Sequence, residues 1–122
     1  MDLDLETRQK ICQLVAGIVT SDGKLEAKEA AFVYRVLAGF GIDATPRAAI
    51  APVVDVDAAA RKVQDLPRPA QDEALRLLLD AACVDGQIQP QERNYLRAIG
   101  GALGIADEDL ERRIVARLMG PR

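Results

Sequence analysis

Six acidic residues, Asp22, Glu26, Glu29, Asp80, Asp85 and Glu92, fall in or beside two copies of one phrase. The copies are SDGKLEAKEA from Ser21 and VDGQIQPQER from Val84. Carboxylates gathered at this density suit all-oxygen ligation of a hard divalent cation such as calcium or magnesium. The phrase also matches the back half of an EF-hand loop. With Gly23 counted as loop position 6, Asp22 falls at 5, Leu25 at 8 and Glu29 at 12. Positions 1 and 3 fail, because they are Ile18 and Thr20 in one copy and Ala81 and Cys83 in the other. A cation site, calcium or similar, is better built from both copies, with Asp80, Asp85 and Glu92 of the second, stronger half converging on Asp22, Glu26 and Glu29. The competing reading is a structural joint. In it Glu29 and Glu92 cap the helices that follow, and Asp22 and Asp85 bond within their own loops. Neither Asp80 nor Asp85 is given an evident basic partner by its neighbourhood, so mutual repulsion would favour a cation.

Other chemistries have little to work with. The chain contains no His, which removes the commonest general base, the Ser-His and Cys-His pairs and most zinc sites. No nucleophile motif and no Gly-rich phosphate loop is present, so the expectation is a protein that is not an enzyme. Cys12 and Cys83 are too far apart for a CxxC motif and lie on apolar stripes, which reads as buried reduced thiols. A net charge of −3 and 3% aromatic residues argue against nucleic acid. The N-terminus shows no signal peptide and no stretch is apolar enough to insert into a membrane, so a cytoplasmic protein is expected.

The elements that must position the acidic residues follow from an internal repeat. Asp22 and Asp85 stand 63 residues apart, and the same offset aligns the flanking residues. Ile11, Leu14, Val15, Ile18 and Val19 fall on Ala74, Leu77, Leu78, Ala81 and Ala82. Both sets follow the spacing of an amphipathic helix. After the phrase, Phe32, Val33, Val36 and Phe40 fall on Tyr95, Leu96, Ile99 and Leu103, a second helical stripe. Gly41-Ile42 then falls on Gly104-Ile105, a pair suited to a left-handed helix stop with a hydrophobic contact behind it. Pro90 fits a first helical position and Glu92 the third, where its carboxylate reaches back to the cap.

Thr45-Pro46 predicts a short helix ended by Pro52, and Asp55 or Asp57 predicts a cap for another running to about Leu66. Pro67 and Pro69 are expected to separate it from the second unit. Asp107 predicts the cap of a last helix carrying Leu110, Ile114, Val115 and Leu118, whose Arg112, Arg113 and Arg117 read as a solvated face. Strand signals are absent. The predicted fold is a single all-α domain over residues 1–122 with about six or seven helices. It is built on helix–loop–helix units at 11–42 and 74–105, related by a pseudo-two-fold axis.

The repeated Asp-Gly-x-[Ile/Leu]-x-x-x-Glu between amphipathic helices resembles the TerB-like family, named for tellurite-resistance protein B. The resemblance runs from about Ile11 to Leu118 and is strongest in LLLDAACVDGQIQPQERNYLRAIGGALGI. There Asp80, Asp85, Gly86, Ile88, Glu92 and Leu96 occupy the family's pattern. In the first unit Asp22, Gly23, Leu25 and Glu29 agree, but Gly17 stands at the position of Asp80. The resemblance implies an all-helical module of bacterial stress or tellurite resistance, with metal binding through clustered acidic residues in some members. A related domain occurs in membrane-anchored J-domain co-chaperones. The lack of His rules out a J-domain His-Pro-Asp here. Two readings stand: a non-catalytic module that binds a divalent cation in a stress-response assembly, or a metal-free protein-interaction scaffold with an apolar groove between the repeats.

Overall fold

The computed structural model describes residues 3–21, 27–42, 52–84 and 86–119. Six helices and no strand occur among them. They are α1 (Leu5–Val19), α2 (Ala27–Gly39), α3 (Val56–Gln64), α4 (Arg68–Ala82), α5 (Pro90–Ala102) and α6 (Asp107–Met119). The domain is all-α, as the apolar periodicity predicts. The short helix expected at Thr45 lies outside the described residues, as do Asp22, Gly23, Leu25, Glu26 and Asp85.

The bounds of α1 and α4 differ by the repeat offset of 63 at both ends, and so do those of α2 and α5. Local chemistry accounts for most of these ends. Asp4 caps α1, its Oδ1 accepting the Thr7 N–H at 2.8 Å. Asp55 caps α3 in the same way through Ala58, at 2.8 Å. Pro67 stands at the N-cap of α4 and Pro69 lies within its first turn, so Pro69 starts this helix rather than separating it from what precedes. Asp107 is likewise inside α6, in a first turn with Glu108 and Asp109, where negative charge suits the helix dipole. The two Gly-Ile stops both form. Gly41 has φ 71° and Gly104 has φ 78°. The Ile42 N–H then reaches the Leu37 carbonyl at 2.9 Å, and the Ile105 N–H reaches Gly100 at 2.8 Å. Each is the six-to-one bond of a Schellman motif.

α1 lies along α4 and α3 along α5, while α6 packs on α4 and α5. Ile11, Leu14, Ile18, Leu78, Tyr95, Leu96 and Ile99 form the fully buried centre. Burial departs from the repeat in one respect. Tyr95 and Leu96 are completely buried, but their counterparts Phe32 and Val33 are only partly so. α5 is covered by α3, α4 and α6, whereas among the described elements α2 rests on α1 and α4 alone. On α6, Leu110 and Ile114 enter the core, but Val115 points outward and is 48% exposed. Among the described residues no helix is long and apolar enough to cross a membrane.

Candidate functional site

Of the six candidate carboxylates, three are described. Glu92 is buried at the start of α5, and its Oε1 accepts the Gln89 backbone N–H at 2.9 Å. Pro90 between them fixes the first helical φ, so the helix cap expected of Glu92 is present. Glu29 is buried at the matching place in the first turn of α2.

Asp80 has a different setting from the expected one. Arg117 Nε donates to its Oδ1 at 2.8 Å, and an Arg76 guanidinium nitrogen lies 3.5 Å from Oδ2. The expectation that Asp80 lacks a basic partner is therefore corrected, and so is the reading of Arg117 as part of a solvated face. Arg76 stands one turn earlier on α4, while Arg117 arrives from α6. Glu73 holds Arg76 from the other side, with contacts of 3.1 and 2.6 Å. Among the described residues no three carboxylate or thiol side chains gather in the manner of a metal site.

Gly17, the counterpart of Asp80, has a steric role. A Cβ built there would lie 2.0 Å from the Val53 carbonyl oxygen and 2.7 Å from the Tyr95 hydroxyl. The extended residues after Pro52 cross α1 at this point. The Val53 N–H donates to the Gln13 carbonyl at 3.1 Å. The Tyr95 hydroxyl donates to the Val53 carbonyl at 2.5 Å, with Leu14 O at 3.3 Å as a second acceptor. Burial pushes the Tyr95 pKa above its ordinary range, which keeps the hydroxyl a donor. The first unit thus uses glycine to admit backbone where the second uses Asp80 to bind α6. Neither role is visible in the repeat itself.

Both thiols are free. Cys12 is buried and Cys83 is half-buried, so only the first matches the expected core position. Burial raises Cys12 to about 12 and Cys83 to about 11.

The partly covered stripe of α2 opens onto a groove of about 280 Å³ against α4. Phe32, Val36, Phe40 and Leu77 line it with Gly39, and Arg35, Glu73, Arg76 and Asp80 add charge to the lining. The Arg35 guanidinium lies over the Phe32 ring, 5.6 Å from its centroid. A Cβ on Gly39 meets nothing within 4 Å, so this position accepts a side chain that reaches into the groove. Gly39→Gln is therefore expected to leave folding stability within about 0.5 kcal/mol of wild type, or to raise it. Thermal and urea unfolding check this.

All-helical among its described residues, the chain carries a groove lined by apolar and charged side chains in nearly equal number. The family described as tellurite resistance protein TerB matches residues 44–114, more than half of the chain. The protein is thus a member of the TerB family. That match falls on the second unit, the segment before it and the first part of α6, a narrower span than the resemblance read from about Ile11 to Leu118. Searches of curated proteins and of solved structures returned no match.

Proposed function

We propose that this TerB-family chain is a non-catalytic interaction module of a cytoplasmic stress or tellurite-resistance assembly. Its groove between α2 and α4 holds the apolar face of a helical segment from a protein partner. The observation that carries this reading is the unequal burial of matched stripes: Phe32 and Val33 stay partly uncovered where Tyr95 and Leu96 are sealed. Helix-in-groove recognition uses such a surface, with anchors one turn apart on the incoming helix. Gly39→Gln fills the groove with a polar side chain and leaves the core intact. In a strain lacking the chain, wild type is expected to restore survival under tellurite or oxidant, and Gly39→Gln, though folded and present at the same level, is not. Equal rescue by the two would remove the groove from the account.

The second reading is a divalent-cation site on the Asp-Gly loops. It is favoured by the burial of two carboxylates, Glu29 and Glu92, at the two joints. Asp80 weighs against placing its centre on the second unit, because a cation there competes with two guanidinium groups. Asp22, Glu26 and Asp85 remain as ligands in this reading.

A further inference from the structure

We infer that α6 is a charge-latched helix, which opens from the domain as a unit while the other helices stay folded. The apolar part of its seat is narrow. Of its 13 residues Leu110 and Ile114 are the buried ones, whereas α1, with 15, buries eight. Leu110 rests on Gly100 of α5, its Cδ2 3.4 Å from the place a Cβ would take there. Toward α4 the fit is open. A hollow of about 360 Å³ lies between the two helices, with Leu75 and Leu79 on one side and Arg113 and Arg117 on the other. On the outer side of α6, Val115 and Met119 are exposed.

Charge holds α6 where apolar contact is thin. Glu111 meets Arg93 of α5 and lies 3.7 Å from Arg97 on the same helix. Arg117 reaches Asp80 of α4 at 2.8 Å. The two pairings face different helices, so they fasten α6 at two points. Their side chains are 29–48% exposed, so salt reaches both. Such pairs add little to a large core, but they weigh more on a helix with two buried side chains. The hinge is already separate from α5. The Ile105 N–H bond to Gly100 closes that helix, and the first bond of α6 begins beyond it, from Leu110 N–H to the Ala106 carbonyl at 3.0 Å. A helix this short is marginal in water by itself, so α6 melts as it leaves and its amides exchange. Opening also takes Arg117 from Asp80, which lines the α2–α4 groove and keeps Arg76 beside it. None of this depends on what fills that groove.

Amide hydrogen exchange of the full chain, followed residue by residue by NMR, tests the latch. After correction for intrinsic rates, the amides of residues 111–118 are expected to exchange about tenfold faster than those of α1, α4 and α5, and as one block. Raising sodium chloride from ~50 to ~300 mM is expected to speed that block and leave the core helices unmoved. Glu111→Gln and Asp80→Asn are each expected to speed it about two- to fivefold. Glu111→Gln leaves helix propensity almost unchanged, so its effect reads the pairing rather than the helix. Should Asp80→Asn loosen the whole domain, the core amides quicken with it, and the salt series and Glu111→Gln decide. Exchange of α6 in step with the core overturns the separate opening. Rates that climb steadily toward Met119 show fraying and overturn it too. A block that opens alone but ignores salt and Glu111→Gln overturns the latch.

Discussion

Leu78→Ala and Leu96→Ala are each expected to lower the unfolding free energy by about 2–5 kcal/mol, the usual range for a fully buried leucine. Both side chains are completely buried, one on α4 and one on α5, in the centre of the core. Truncation removes apolar transfer energy and leaves a cavity that the surrounding helices close only in part. The repeat supplies an internal control. The counterpart of Leu96 is Val33, on the partly uncovered stripe of α2. Val33→Ala is expected to cost less than either leucine change, because Val33 is only partly buried and smaller than leucine. Urea melts of the three variants check this order. A loss below about 1 kcal/mol for either leucine would mean that its helix is turned the wrong way.

Gly17→Ala is expected to cost about 2–4 kcal/mol, although alanine is the better helix former. The added methyl would stand 2.0 Å from the Val53 carbonyl oxygen, and backbone cannot move aside as a flexible side chain does. Relief requires residues 52–55 to lift off α1. That movement breaks the Val53 bond to Gln13 and takes the nearer acceptor from the Tyr95 hydroxyl, leaving Leu14 O at 3.3 Å. The buried hydroxyl then keeps only the longer of its two bonds, which adds to the cost. In a double-mutant cycle, Tyr95→Phe and Gly17→Ala should therefore be non-additive. Additive losses would place the clash elsewhere. Gly17→Asp, which copies the second unit into the first, should fold less well still.

The features that sequence exposes best are those set within a few residues. The stripes of α1, α2, α4 and α5, the Gly41 and Gly104 stops and the Pro90–Glu92 joint all depend on short-range geometry. The i, i+4 relation of Arg76 to Asp80 is equally local, and it supplies a basic partner that loop chemistry alone does not suggest. The remaining features depend on tertiary approach. Arg117 meets Asp80 across 37 residues of chain, from a helix whose charged face reads as solvated. Gly17 reads as a missing ligand until Val53 is seen crossing it. Phe32 and Tyr95 carry the same apolar signal, and tertiary packing separates them: α3, α4 and α6 cover α5, whereas among the described elements α2 meets only α1 and α4. The site is less legible than the fold for that reason: its surface is defined by which stripe goes uncovered.

The central claim is that this TerB-family chain works by docking a partner on helix surfaces and needs no bound cation to do so. Titration calorimetry with calcium, magnesium and manganese, run beside thermal unfolding at millimolar cation, tests it most directly. The account predicts heats no larger than dilution and an unchanged unfolding temperature for wild type and Asp85→Asn alike. Saturable heat with a raised unfolding temperature in wild type, both lost in Asp85→Asn, would contradict it and make the Asp-Gly loops the working site.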